Sequence, residues 1–470
     1  MKTHLQKLFL LPTLIIGLNL IVAGPLMAQN FTLLYNFTNV IDESMGPAAG
    51  LVLSGNTLYG TTYWSGSVFA INTDGTGYRI LYNFTNYYRD GMYPMAPLTL
   101  SGNTLYGTVS QGGMNSAGAV FAINTDGTGF TNLYSFTGTY GGWSPNPRLI
   151  LSGNTIYGTM QDGGTNGTGF IFAINTDGTG FTDLYDFTGT PPRTITNSDG
   201  VDPDPGLVLS GNTLYGTTHG GGSSGSGTVF AINTDGTGFT NLYNFTATQG
   251  VVPSSGEGAN SDGACPMGPL ILSGNTLYGT TAGGGMGGVG TVFTINTDGT
   301  GFTNLHNFTW ILDGTPRGGL VLSGNTLYGT AAAGVTIGND ASVFAVHTDG
   351  TGFTNLFVFP IYCEANAGII LSGNTFYGTA PSGYENGAGR VFSLSFAPQL
   401  TIIPSETNVI LSWPTNNLGF DFTSFTLQST PDLTPPALWT TASPAPVVVN
   451  GQNTVTNPIS GTQMFYRLNQ

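Results

Sequence analysis

Residues 207–245 read LVLSGNTLYGTTHGGGSSGSGTVFAINTDGTGFTNLYNF. Four short runs rich in aliphatic, aromatic and β-branched residues stand out: a (LVLS), b (NTLYGT), c (GTVFAIN) and d (FTNLYNF). Such residues favour strands. SGN joins a to b and TDGTG joins c to d, and Asn-Gly and Asp-Gly types of turn supply the positive φ angles that hairpins need. Strand c is apolar at every position from Val229 to Ile232, so a sheet built around it must be covered on both faces. Four-stranded sheets packed face to face around an axis meet that demand.

The same text recurs. SGNTLYG or a close variant begins at Ser54, Ser101, Ser152, Ser210, Ser273, Ser323 and Ser372, and the TDG aspartates are Asp74, Asp126, Asp177, Asp235, Asp298 and Asp349. Long motifs repeated in fixed order at a period near 50 residues signal a repeat architecture. The seventh copy ends at VFSLSF, 391–396, with no TDGTG turn and no d strand, whereas FTLLYNF at 31–37 is a d strand with no repeat before it. These complementary ends predict a seven-bladed β-propeller closed by the N-terminal strand, the last blade being three strands plus one, which removes an open sheet edge. An open β-solenoid is the rival arrangement, but it needs no such matching ends.

Only 33 of 470 residues are charged, 9 basic and 24 acidic, while 73 are glycine and 26 proline. An average domain has about a quarter charged residues, and this bias argues against long surface helices. With 40% hydrophobic and 12% aromatic residues the chain can build a core, which argues against disorder. The N-terminus, MKTHLQK then LFLLPTLIIGLNLIVAG then PLMAQ, reads as a signal peptide over 1–28, cleaved after Ala28. Pro12, Gly17, Asn19 and Gly24 interrupt the apolar run, which favours a cleaved leader over a retained anchor. Removal of Lys2 and Lys7 leaves seven arginines against 24 acids, a formal charge of −17. Such a chain repels nucleic acid and anionic membrane surfaces, and no later apolar segment is long enough to span a bilayer. The expected location is periplasmic, secreted or cell-surface. Cys265 and Cys363 lie in corresponding loops one whole repeat apart, so a bridge would require those loops to fold towards each other; two buried thiols are the alternative.

The SGNTLYGTT and GTVFAINTDGTGFTNLYNF pattern, over nearly all of 31–396, resembles the Gloeobacter/Verrucomicrobia-type tandem repeat of the GloVer "choice-of-anchor" proteins. The resemblance implies an exported or surface-displayed bacterial protein of unestablished activity, often with a C-terminal sorting tail. Here the final residues are GTQMFYRLNQ, without an apolar helix and basic cluster, so anchoring through such a tail is not expected. The repeat domain is placed at 29–397. From 398 to 470 the text changes to short strands separated by Pro and Asn turns, and Trp413, Trp439 and Tyr466 resemble the core aromatics of a small fibronectin type III-like sandwich.

In a propeller the a–b and c–d turns share one end, and the b–c and d–a loops the other. All the length variation falls in the second set, and variable loops on a fixed scaffold are where binding resides. Asp90, Asp199 and Asp262, each before a glycine, stand eight residues ahead of the first leucine of strand a, and Asp313 seven ahead; Asp42, Glu43 and Glu364 occupy the same loops elsewhere. They are candidates for a ring of acids that binds a cation or sugar hydroxyls, the alternative being plain Asp-Gly turns. Asp199, Asp202 and Asp204 form the tightest cluster, a candidate calcium loop, although it lacks the full D-x-D-x-D-G spacing. Trp64, Trp143 and Trp310, with Tyr63, Tyr87, Tyr88 and Tyr140, are candidate sugar-stacking aromatics or blade-end packing. The TDG aspartates are explained by hairpin geometry. His219 is the one histidine in a b–c loop, and it has no recognisable partner in the sequence; His306 and His347 replace a Tyr and an Asn of the repeat.

A repeat consensus supplies no tuned acid–base pair or activated nucleophile. The expected function is therefore a non-catalytic binding or scaffold module, exported, recognising carbohydrate or another extracellular partner on the b–c/d–a loop face and requiring no cofactor. The alternatives are a glycan-active hydrolase or lyase using a pair among Asp90, Asp199, Asp262 and Asp313, and a structural cell-envelope protein.

Overall fold

The computed structural model describes residues 27–37, 46–47, 49–63, 66–137, 148–190, 195–203, 206–249, 258–309, 314–332, 341–359, 367–380, 389–459 and 463–469. Among them every regular element is a β-strand, and the ladders are antiparallel hairpins and meanders. No helix of the described residues is long and apolar enough to cross a membrane.

The chain divides into two compact units. The larger, Gln29–Phe396 with Leu418–Asp421, contains seven antiparallel sheets among the described residues, numbered here in chain order; the first six run a–b–c–d, and the seventh takes its fourth strand from the N-terminus. In sheet 4 the strands are Val208–Ser210, Thr213–Thr218, Thr228–Asn233 and Thr240–Asn244. Gly211 enters the a–b turn at φ 57°, the left-handed conformation that the first position of a primed two-residue hairpin demands. At the c–d turn the Asp235 carboxylate accepts the Thr237 backbone N–H at 2.9 Å and its hydroxyl at 2.7 Å. The Thr234 N–H reaches back to the Asn212 carbonyl at 2.8 Å, so both turns share one end. The TDG aspartates are thus turn caps, held below the usual carboxylate range by the threonine they cap.

Strand c is covered on both faces. Phe230 and Ile232 pack with Tyr157, Ile171 and Phe187 of sheet 3, while Val229 and Ala231 pack with Phe245, Leu277 and Phe293 towards sheet 5. The glycine in NTLYG has a packing cause: a Cβ on Gly216 would lie 2.5 Å from Phe230 Cζ.

Successive sheets are joined by one aromatic stack each. Tyr35–Tyr78, Tyr82–Phe130, Tyr134–Phe181, Tyr185–Phe239, Tyr243–Phe302, His306–Phe353 and Phe357–Phe31 have ring centroids 3.5 to 4.8 Å apart and planes within 12°. His306 therefore serves as a stacking ring. The circuit begins and ends on the N-terminal strand Met27–Asn36, which pairs with Arg390–Pro398 as the outer strand of sheet 7. At the inner side, Thr379 Oγ1 of sheet 7 donates to the Ala49 carbonyl at 2.9 Å, ahead of strand a in sheet 1. The orphan-strand expectation is met in these contacts.

Leu418–Asp421 belongs to the larger unit, a departure from the expected boundary. Phe420 stacks on Phe396 at 4.6 Å and lies against Tyr328 and Phe376, while Ser323 Oγ and Asn374 Nδ2 donate to the Gly419 and Asp421 carbonyls, each at 2.8 Å.

The smaller unit includes Ala397–Asn417 and Phe422–Gln470. It carries a four-stranded and a three-stranded sheet around Leu411, Trp413, Leu427, Ala442 and Val455, with Tyr466 at the margin. Trp413 is core, whereas the Trp439 ring lies 4.3 Å under the Arg467 guanidinium. Cys265 is half-buried at the inner edge of sheet 5; Cys363, and so the expected choice between a bridge and two thiols, lies outside the described residues.

Candidate functional site

The Asp-Gly aspartates ahead of strand a are turned inward. Asp199 and Asp262 are each 3% exposed and Asp90 5%, so a ligand has no access to them as placed. Tyr185 donates its hydroxyl to Asp199 Oδ2 at 2.8 Å, the Thr188 N–H donates to the same oxygen at 2.9 Å, and the Thr188 hydroxyl donates to Oδ1. Asp262 repeats the arrangement with Tyr243 at 2.8 Å, the Thr246 N–H at 2.9 Å and the Thr246 hydroxyl. Asp90 bonds the Tyr82 hydroxyl. In all three, burial and then the bonded carboxylate raise the phenol's proton affinity. Asn197 and Asn260 brace the two loops, each donating to a carbonyl on either side of the aspartate. The acids therefore fasten the end of strand d to the loop that enters the next sheet. Asp90 and Asp262, expected to face a ligand, are corrected here to internal acceptors.

The expected calcium cluster is not assembled either. Asp199 points at Tyr185 and Thr188, whereas the charges that act on Asp202 are those of Asp162 and His219. Among the described residues no group of three or more His, Cys, Asp or Glu side chains is arranged to hold a metal ion. Asp204, Asp313, Trp64, Trp143 and Trp310 lie outside the described residues.

A different set of residues is brought together. Ahead of strand a the pairing with strand b resumes: Pro47 with Thr62, Met92 with Gln111, Val201 with Gly220, Ala264 and Pro266 with Gly283 and Thr281, and Thr315 and Pro316 with Ala332 and Ala331. Four of these loops are wedged against the preceding sheet by a proline, Pro94 on Gly66, Pro203 on Gly169, Pro266 on Gly227 and Pro316 on Gly290. Neighbouring strands a approach one another, so these rungs lie at the inner margin of the loop end. Here the repeats diverge. Tyr93, Asp202 and Cys265 occupy the same rung at φ 60°, 56° and 55°, left-handed positions that cost a non-glycine residue about 1–3 kcal/mol. Opposite them stand Ser110 and His219, whose N–H groups donate to the Tyr93 and Asp202 carbonyls at 3.0 and 2.9 Å. The Tyr63 and Tyr93 rings meet across the junction of sheets 1 and 2, centroids 5.6 Å apart. Further round, burial and then Asp162 raise the Asp202 carboxyl, with His219 acting in the opposite sense; burial raises Asp162 as well. The margin is thus aromatic at sheets 1–2 and polar at sheets 3–4.

A family model, the Gloeobacter/Verrucomicrobia repeat, matches residues 62–263 and 256–409. The chain belongs to this family. No curated protein matches it. Among solved structures, a Mycobacterium tuberculosis puromycin-hydrolyzing peptidase aligns at TM-score 0.49 and 11% identity over 82% of this chain and 62% of that one. A chain of a nidogen/laminin complex aligns at 0.39 and 16% over 64% and 91%, and TolB from Acinetobacter baumannii at 0.36 and 13% over 65% and 62%. The family's repeat forms four-stranded antiparallel sheets here, packed face to face.

One repeat of this family member breaks the consensus chemically. On strand d, Asn304 Nδ2 donates to Asn307 Oδ1 at 3.0 Å, and Asn132 Nδ2 to Ser135 Oγ at 3.1 Å. Sheet 3 has Asp183 and Asp186 at these positions. Asp186 accepts the Thr165 hydroxyl at 2.6 Å and N–H at 3.2 Å, and Asp183 has lost the amide donor. Burial and the Asp186 charge push the Asp183 carboxyl up to about 6. A carboxyl whose proton affinity is raised on folding stabilises the fold below its ordinary value of 3.8, and that contribution is lost as pH rises through about 6. Because Asp183 is exposed at the sheet edge, the effect is screened. Asp183→Asn, which restores the repeat residue, is expected to raise Tm at pH 7.5 by roughly 1–3 °C and to flatten Tm between pH 4 and 6. Thermal melts across that range check it.

Proposed function

We propose that this family member is an exported, closed seven-bladed β-propeller followed by a fibronectin type III-like module over 398–470, and that the inner margin of its loop end is a non-catalytic binding face for carbohydrate. The observation that carries the reading is the rung at which the repeats stop being alike: strained, half-buried side chains of different chemistry, Tyr93, Asp202 and Cys265, stand on otherwise equivalent loops. Strain held at one face of a regular scaffold points to function there. A tyrosine pair at sheets 1–2 and carboxyl groups at sheets 3–4 supply what a sugar uses, which offers an apolar face and a hydroxyl edge. The inward bonds of Asp199 and Asp262 favour binding over hydrolysis, because a glycosidase needs two carboxyls open to the substrate.

Export rests on the N-terminal leader. Cleavage after Ala28 would leave Gln29–Asn36 to pair as the closing strand, so removing the leader is compatible with the fold. The amino-terminal residue of protein recovered from the culture medium or periplasm tests this.

The binding reading is tested by screening the full chain against polysaccharides while assaying product release in the same wells. Tyr63→Ala and Tyr93→Ala are each expected to weaken binding about tenfold, a loss near 1.4 kcal/mol, with little change in Tm. Binding unaffected by either substitution, or release of products, would sink the proposal.

A further inference from the structure

In sheets 1 to 6 a TDG turn joins strand c to strand d, and its glycine abuts strand d of the neighbouring sheet. A Cβ on Gly75 would lie 2.9 Å from the Leu34 carbonyl oxygen of sheet 7, one on Gly236 2.8 Å from that of Leu184 in sheet 3, and one on Gly350 3.2 Å from that of Leu305 in sheet 5. The other three turns repeat this approach, so the TDG turns brace every junction from sheets 7–1 round to sheets 5–6. Sheet 7 has no such turn. Its strand c, Arg390–Pro398, pairs with a strand d, Met27–Asn36, that comes from the far end of the chain. The junction of sheets 6 and 7 therefore lacks the brace that the others share.

Leu418–Asp421 occupies that junction. Leu418 at φ 48° and Gly419 at φ 80° make a primed turn, whose tip sits so close that a Cβ on Gly419 would lie 2.4 Å from the Ser323 carbonyl oxygen. The Phe420 ring is held between Tyr328 of sheet 6, centroids 5.3 Å apart, and Phe376 and Phe396 of sheet 7, at 5.6 and 4.6 Å. The two hydrogen bonds to the turn come from opposite sides, Ser323 Oγ from sheet 6 and Asn374 Nδ2 from sheet 7. The receiving residues depart from the repeat. Phe376 stands where the other six copies have Leu or Ile, and Phe396 where they have the Thr of TDG. Asn374 is buried, whereas its counterparts Asn275 and Asn325 are exposed.

We propose that Leu418–Asp421 is a clasp that closes the junction of sheets 6 and 7 in place of the missing c–d turn, and that its release opens this junction ahead of the others. Strand c of sheet 7 is the element at stake, because its ladder to strand d has no covalent turn to keep the two in register. Local opening starts where the fewest contacts hold an element down. The clasp supplies what a TDG turn supplies elsewhere, a backbone pressed onto the neighbouring sheet, and adds an aromatic ring that fills the space between the two sheets. It lies at the end of the sheets that carries the SGN turns, away from the b–c and d–a loops, since Ser323 and Asn374 belong to those turns. Nothing in the clasp depends on the carbohydrate reading.

Hydrogen–deuterium exchange of the full chain, resolved by peptide, tests this. Phe420→Ala is expected to speed exchange at Thr375–Ala380 and Arg390–Pro398 by about tenfold or more, while sheets 2 to 4 stay within about twofold of the wild type. Phe376→Leu with Phe396→Thr restores the repeat residues and takes away the seat of the ring. In that background Phe420→Ala should change exchange at sheet 7 by no more than about twofold. Should Phe420→Ala fail to fold, Ser323→Ala and Asn374→Ala carry the same prediction at about threefold to tenfold, since each removes one hydrogen bond and leaves the ring in place. Exchange at sheet 7 that stays at the wild-type rate, or rises equally in all seven sheets, would overturn the clasp. So would an effect of Phe420→Ala as large in the restored background as in the wild type.

Discussion

A chain beginning at Gly46, without the strand Met27–Asn36, is expected to lose its cooperative thermal transition and to aggregate. The strand supplies the outer edge of sheet 7 and closes the aromatic circuit at both ends, Phe31 stacking on Phe357 at 4.8 Å and Tyr35 on Tyr78 at 3.9 Å. Leu34 and Phe37 are buried beside Leu51, Leu58 and Phe69 of sheet 1. Four large side chains at about 1.5–3 kcal/mol each represent roughly 6–12 kcal/mol, as much as the whole stability of an ordinary domain. The truncation also bares the hydrogen-bonding edge of Arg390–Pro398, a template for pairing with another chain. Calorimetry and size-exclusion chromatography check both consequences, and a monomer with an unchanged melting temperature would refute the closing role. Ending the chain before Phe465, without the strand Phe465–Asn469, should leave the main transition in place, since those residues pair inside the smaller unit.

What could be read in the sequence follows from how local each interaction is. Strands, turns and the matching ends were legible because Gly211, Asp235 and the unbroken apolar run of strand c act within a few residues of themselves. The role of Asp199 and Asp262 was not. An Asp-Gly pair looks the same whether its carboxylate faces solvent or a tyrosine 14 or 19 residues earlier, and only packing decides. The rung of Tyr93, Asp202 and Cys265 was hidden for a related reason: loops of unequal length must be superposed before their equivalence is visible. Counting back from the buried leucine of strand a, five residues in each case, is the signal that finds it. The insertion of Phe420 against Phe396 had no signal at all, because a phenylalanine in one motif gives no hint of a partner in another.

The second large effect separates a fastening from a binding site. Asp262→Ala is expected to lower stability by about 2–4 kcal/mol while ligand affinity, measured well below the new melting temperature, stays within about twofold, as a change under 0.5 kcal/mol would give. The carboxylate accepts three donors, the Tyr243 hydroxyl, the Thr246 N–H and the Thr246 hydroxyl, and is almost fully buried. Alanine leaves all three without an acceptor, and unmatched buried donors cost more than the bonds contributed. Asp262→Asn should fall between, because its amide oxygen still accepts while its NH2 group confronts the donors. Tyr243→Phe should cost less than either, since it removes one donor and leaves the carboxylate its two bonds to Thr246. That ordering, Ala worse than Asn worse than Phe, is what an internal acceptor gives. A ligand-contacting carboxylate would give the reverse signature, a wild-type melting temperature with binding lost in Asp262→Ala, and that result would return the aspartates to the binding face.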